Sequence, residues 1–377
     1  MKAIINSDKL VSALTETKKV ITNNPVIPIL ENWLLEVKGG WARVTATDLQ
    51  NTLIKDIGKV ESKEDFACLL APPVLNMLKK FDFAPVTLEF DPGTYSVILS
   101  NETDRTKFAG DNTEDFPKIE SKGKKLLQTN SAIFNEFSTL LKYVSTDELR
   151  PALTSLNFGY YQGKFNITTT DGHTLAVVNV PELNKAKNKK KGIDTLFNIS
   201  AKAAKILSGY EVKKGDPHTL NISEVKGDYR KVIFEFGDIT LVTRTIEERY
   251  PDYPSVIPDK STTVFHGVKA DFLKQLDKAM ICANKTTWQI RIDLRDNEKL
   301  KITSEDLDFI NEFGGYIQGT REGKPLEIGF NGKLLAKVIE SAPANFEFHL
   351  SEPNKAGVLK TENKIILVMP VMLNRYA

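Results

Sequence analysis

Asp171 and His173 stand two residues apart in Thr170-Asp171-Gly172-His173-Thr174, between two apolar runs of strand-like composition. A carboxylate beside an imidazole could pass a proton or hold a metal. The same residues could close a hairpin, because an Asp side chain bonds its own backbone in tight turns and glycine allows the backbone they need. A third use is a surface that grips a partner. The other histidines, His218, His266 and His349, fall at unrelated places, none with a second histidine at ligand spacing. The chain has no phosphate-binding loop, no glycine-rich dinucleotide fingerprint, no paired-histidine zinc helix and no serine elbow. No catalytic residue, metal ligand or cofactor is therefore assigned.

The aspartate recurs where the histidine does not. Val44-Thr45-Ala46-Thr47-Asp48-Leu49, Ile167-Thr168-Thr169-Thr170-Asp171-Gly172 and Ile302-Thr303-Ser304-Glu305-Asp306-Leu307 share one pattern, with the aspartates 123 and 135 residues apart. Recurrence without histidine argues against a catalytic dyad. A structural turn and a binding surface both stay open.

Six segments share a second design: a short strand, a small or capping residue, then an amphipathic helix. Helices are predicted over 7–19, 71–80, 131–142, 200–210, 269–280 and 331–340, with starts 64, 60, 69, 69 and 62 residues apart. Ser7 or Asp8, Asn130 or Ser131, Ser200 and Asn331 are the expected caps, and Pro72 and Pro73 stand where a helix start tolerates proline. Stretches such as WLLEV, VTLEF, KVIFEFG and QIRIDL, rich in β-branched and aromatic residues and separated by turn signals, read as antiparallel strands. The pattern predicts an α+β fold of three repeated domains, 1–124, 125–257 and 258–377, each with two helices packed on antiparallel sheets. The run KAKNKKKG at 185–192 reads as an exposed basic loop.

The charge is segregated. The six helices hold thirteen lysines against six acids, a surplus of +7, while the whole chain of 377 residues carries only +2. Those lysines could simply solvate outer helix faces, or one side of the molecule could collect positive charge for phosphates. Two distant cysteines, Cys68 and Cys282, with no CxxC, argue for a reducing compartment. The start meets charges too early for a secretory signal, and the longest apolar stretch, Ile365 to Leu373, is too short to span a bilayer. A cytoplasmic protein is expected.

Several elements together resemble one family, the bacterial DNA polymerase III beta subunit or replicative sliding clamp. They are the threefold-by-two repeat, Pro28-Ile29-Leu30 before a strand, Ala46-Thr47-Asp48-Leu49, Thr170-Asp171-Gly172-His173-Thr174-Leu175-Ala176, Tyr250-Pro251-Asp252-Tyr253 and Val368-Met369-Pro370. The resemblance covers the whole chain. It implies a non-catalytic processivity factor, a head-to-tail homodimeric ring around duplex DNA with helices lining the hole. Twelve helices spaced ~9 Å apart make a circle of roughly 34 Å between axes, and subtracting a helix diameter of about 10 Å leaves room for a duplex. Lysine–phosphate attraction is sequence-independent and weak, with Kd on the order of 10⁻⁴–10⁻⁶ M, so closure of the ring must supply retention. A solenoid-like scaffold without DNA and a nucleic-acid enzyme are the alternatives; segregated lysines disfavour the first and the missing phosphate and metal motifs the second.

Residue by residue, the resemblance implies a hydrophobic peptide-binding pocket of Leu153, Thr170, Gly172, His173, Thr174, Leu175, Pro251, Val256, Leu367, Met369 and Pro370. There the polymerase alpha subunit, clamp loader, translesion polymerases and repair proteins would dock through short linear motifs. It implies DNA-facing Lys9, Lys79, Lys80, Lys142, Lys202, Lys205, Lys274, Lys278, Lys333 and Lys337, and a dimer interface of Phe108 with Ile281 and Cys282. The chain departs from the family at Thr174 and Ser255, where basic residues are frequent, and at Asn24, where arginine can occur. It also continues past the Met369-Pro370 element to Asn374-Arg375-Tyr376-Ala377. A less basic pocket rim implies an altered peptide preference.

Overall fold

The computed structural model describes all residues except 82–84, 186–191, 211, 213–216 and 374–377. Most of the basic run at 185–192 and the final Asn374 to Ala377 thus lie outside the described residues. The fold is α+β, with every strand pairing antiparallel and six α-helices among the described residues: α1 (Ser7–Thr17), α2 (Pro72–Leu78), α3 (Phe137–Leu140), α4 (Ala201–Ser208), α5 (Lys269–Cys282) and α6 (Gly332–Glu340). No helix among the described residues is long and apolar enough to cross a membrane.

The chain forms two compact units. The first, Met1–Phe134 with Gly209–Thr245, holds a five-stranded and an eight-stranded sheet. In the larger sheet, Ile239–Arg244 lies beside Asn51–Lys59, with Leu241 opposite Leu53, so segments distant in sequence share one ladder. Strand Trp33–Lys38 shows how the core forms: Trp33, Leu35 and Val37 alternate inward, as a period of two requires. They meet Leu10, Ala13 and Leu14 of α1 and Val74, Leu75 and Leu78 of α2 in one buried cluster. Asn6 caps α1 by accepting the Lys9 N–H, one residue earlier than Ser7, and α2 begins on Pro72 and Pro73.

The second unit, Asn135–Ser208 with Ile246–Ala377, is organised on a thirteen-stranded sheet. Here Thr174–Asn179 lies beside Lys364–Val368, which joins the Asp171 turn to the last long strand. In α6, Leu335, Val338 and Ile339 form the buried face, and Asn331 caps it through the N–H groups of Lys333 and Leu334. Ser200 likewise accepts the Ala203 N–H at the start of α4.

One helix prediction needs correction. The segment expected to be α-helical over 131–142 has a single α-turn, α3, between 3₁₀ segments Ser131–Glu136 and Leu141–Tyr143. The cause lies in its spacing. Phe134, Phe137, Leu140 and Tyr143 recur at every third residue and all are fully buried. A period of three aligns on one face in a 3₁₀-helix and drifts in an α-helix.

Candidate functional site

The Asp171 turn is built by its own carboxylate. Oδ1 accepts the backbone N–H groups of His173 (2.9 Å) and Thr174 (2.6 Å), and Oδ2 accepts the Thr174 hydroxyl (2.7 Å). Asp48 does the same for Gln50 and Asn51, and Asp306 for Asp308. The recurrent aspartate is a turn-closing residue in all three places. Its bonds to residue 173 run to the backbone N–H, so the pattern is that of a hairpin rather than a proton relay. Gly172 sits at φ +89°, a conformation L side chains rarely adopt.

The fourth bond to Asp171 comes from Lys337 on α6, Nζ to Oδ2 at 2.7 Å, with both side chains largely covered (23% and 18% exposed). Burial alone would raise the carboxyl of Asp171, but the bonds from Lys337, Thr174 and the turn backbone outweigh it and hold the group below its usual range.

Beside this turn is a cavity of about 480 Å³. Four separate segments bring its lining together. Leu153 comes from the 3₁₀ turn Pro151–Thr154, Thr170 and Thr174–Leu175 flank the Asp171 turn, Pro251 to Val256 lead into and form the 3₁₀ turn Tyr253–Val256, and Leu367 lies on the strand Lys364–Val368 with Met369 just after it. The register sets Leu175 opposite Leu367, and the Met369 N–H donates to the His173 carbonyl at 2.8 Å, which fixes turn and strand to each other. Leu153, Leu175 and Leu367 form a buried apolar floor, while Gly172, His173, Pro251 and Val256 form an exposed rim. A cavity with apolar walls and a few polar groups at its edge suits apolar side chains of a peptide.

Ten of the eleven residues expected at this pocket line the cavity; Pro370 does not. It pairs instead with Phe330 in a short edge strand. The cavity also includes Arg150, Ala152, Asp252 and Tyr253, which the sequence did not single out as lining residues. Tyr253 carried a signal, since it closes the Tyr250-Pro251-Asp252-Tyr253 element; its hydroxyl accepts from Asn166 at 3.2 Å, which anchors that segment. Burial pushes its phenol up. Arg150 lies in a polar loop, tied to Asp147 at 2.7 Å, with no comparable signal.

A larger cleft of about 900 Å³ in the first unit mixes Glu36, Asp56 and Glu120 with Lys38, Arg43, Lys122 and Lys226, and so selects no one ligand chemistry. Of the ten lysines expected to face DNA, Lys9, Lys79, Lys80, Lys142, Lys205, Lys274, Lys278 and Lys333 are exposed. Lys333 lies 3.7 Å over the Trp288 ring. Lys202 and Lys337 are half-buried, and Lys337 is engaged by Asp171.

Phe108 ends the edge strand Arg105–Phe108 and is half-buried; Ile281 is 71% exposed at the end of α5, with Cys282 half-buried after it. Within the same unit as Ile281, the hairpin tip 307–310 carries Leu307, Phe309 and Ile310, which are 63%, 74% and 92% exposed. Ile310 holds φ +55°, unusual for a β-branched residue. The sequence reading missed this tip because apolar residues after a strand look like its continuation.

Fold and cavity define an α+β protein of antiparallel sheets that holds an apolar cleft between a turn and the last long strand. Residues 1–120 match the family model for the DNA polymerase III beta subunit N-terminal domain, and residues 254–372 that for its C-terminal domain. The chain belongs to the DNA polymerase III beta subunit family. It is 26% identical to the beta sliding clamp of Synechocystis sp., over 99% of this chain and all of that one, and 26% identical to that of Caulobacter vibrioides over 94% of each. Its fold matches the DNA polymerase sliding clamp of Pseudomonas aeruginosa with a TM-score of 0.87 at 20% identity, covering 99% of this chain and 100% of that one. The Bacillus subtilis clamp structure matches at 0.84 and 21% identity, with the same coverage.

Proposed function

We propose that this chain is the processivity factor of a bacterial replicative DNA polymerase. It performs no chemistry; it forms a head-to-tail dimeric ring of three repeats per chain, 1–124, 125–257 and 258–377, that encircles duplex DNA without reading sequence. Its exposed helix lysines face phosphates, and weak contacts of this kind allow sliding. Polymerase, clamp loader, translesion polymerases and repair proteins dock by short apolar motifs in the cavity at Leu153, Leu175 and Leu367. Tethering then raises the polymerase's effective concentration at DNA.

The observation that carries the ring is a pair of open strand edges of opposite charge. Strand Arg105–Phe108 ends the five-stranded sheet and bears Arg105 and Lys107. Strand Asn311–Gly323 pairs with Lys299–Asp306 along Asn311–Gln318 and with Thr263–Val268 along Gly319–Gly323, so among the described residues no second strand lies beside Asn311–Gln318. Exposed Glu305, Asp308 and Glu312 surround that second edge. An unpaired edge is a template for another strand, and opposite charge selects the head-to-tail pairing over like with like. The exposed apolar tip Leu307, Phe309 and Ile310 is then covered by the second copy, with Ile281 and Cys282 alongside and Phe108 opposite.

Met369→Ala tests the docking half. It should weaken binding of a short leucine- and phenylalanine-bearing peptide by about tenfold and leave the dimer intact in sedimentation. Undiminished peptide binding would refute the pocket assignment.

A further inference from the structure

The resemblance places Lys337 among the residues facing DNA, but its ammonium is committed elsewhere. It bonds Asp171 Oδ2 at 2.7 Å and lies 5.0 Å from the centre of the Tyr143 ring. Tyr143, fully buried, donates its hydroxyl to the Lys337 carbonyl at 3.1 Å and bonds the Ser341 hydroxyl at 2.8 Å. Both ends of this stretch of α6 are thereby held: the backbone by Tyr143 and the side chain by the turn. A lysine so held is a poor phosphate ligand, since contact would break a largely covered ion pair.

The ion pair ends on the carboxylate that shapes the pocket rim. Asp171 fixes the N–H groups of His173 and Thr174, and the His173 carbonyl in turn receives Met369. Gly172, His173, Thr174 and Met369 all line the cavity. Without a counter-charge, a partly buried Asp171 would either draw in water or take up a proton, and a protonated carboxyl is a weaker acceptor for those N–H groups.

We propose that Lys337 is a positioning residue for the peptide pocket, holding the 171–174 turn through Asp171 rather than contacting DNA. This rests on the reading of the cavity as a peptide site, and it assigns the lysine to docking specificity. It also makes the turn depend on a helix 166 positions away in sequence.

The test uses the full-length protein, a labelled short peptide bearing leucine and phenylalanine, and duplex DNA at several salt concentrations. Lys337→Met should weaken peptide binding by about tenfold, the scale of losing one charge-assisted hydrogen bond. Lys337→Arg should restore most of it, and the slope of DNA affinity against salt should not change. The His173 backbone amide resonance should move in the Met variant and return in the Arg variant. Peptide binding unchanged in Lys337→Met, or a salt slope reduced by about one phosphate contact, would overturn the proposal. Should Lys337→Met unfold, Asp171→Asn, which keeps the shape of the turn, must reproduce the peptide defect or the proposal fails. Met369→Ala serves as the reference: if it too binds normally, the pocket reading itself has failed, whereas a defect there alone sinks only the role of Lys337.

Discussion

On the proposed dimeric ring, Ile310→Asp should break the dimer while leaving each chain folded. Ile281, Leu307, Phe309 and Ile310 are 71%, 63%, 74% and 92% exposed in the single chain. Burying one such side chain contributes about 1.5–3 kcal/mol, so the patch is worth on the order of 5–8 kcal/mol per seam, of which Ile310 supplies about 2 kcal/mol. Aspartate forfeits that share and brings a carboxylate against Phe108 of the second copy and beside Glu305, Asp308 and Glu312, at a further cost of about 1–2 kcal/mol for its desolvation. A two-chain ring has two identical seams, so the loss doubles to about 6–8 kcal/mol, or roughly 10⁴–10⁶-fold in the dimer constant. The fold itself should not suffer. Ile310 packs on little, and aspartate tolerates φ +55° better than a β-branched residue does. Sedimentation velocity from nanomolar to micromolar concentration reads the constant, and thermal unfolding of the monomer checks the fold. An Ile310→Asp chain that dimerises as tightly as the unsubstituted one would refute the placement of the seam.

Two further outcomes follow from the same structure. Phe137→Ala removes a fully buried ring stacked edge-on against Phe158 at 6.1 Å and should cost about 3–5 kcal/mol, read by chemical denaturation. Stability should also fall as pH drops through the imidazole range. Burial, aided by Lys360, lowers the His349 pKa from 6.5 against the opposing pull of Glu347. The unfolded chain therefore takes up this proton first; the contribution is full above the unfolded pKa and is lost as pH falls towards the folded value. His349→Gln should flatten that part of the pH–stability profile, and an unchanged slope would show the dependence to lie elsewhere.

Helix starts were legible where a strand, a capping residue and an amphipathic run follow one another; Ser200 and Asn331 cap where the spacing placed them. The third helix departs from the expectation because Phe134, Phe137, Leu140 and Tyr143 recur every third residue, and over so short a span that spacing does not separate a 3₁₀ from an α-helical face. The turn role of Asp48, Asp171 and Asp306 could be inferred from recurrence, since a turn is a local device. The cavity could not. Leu153, Leu175 and Leu367 meet through strand register and a 3₁₀ turn, and only the family resemblance linked them in advance. Arg150 and the Lys337–Asp171 pair left no trace in local pattern, because a long side chain's partner depends on tertiary packing.

The central claim is topological capture, and it is tested most directly by loading the protein onto nicked circular duplex DNA and then cutting the circle. The account predicts that the protein stays on the circle through dilution and salt that would dissolve lysine–phosphate contacts, and leaves once the DNA has ends. Equal retention on circular and linear DNA would contradict it.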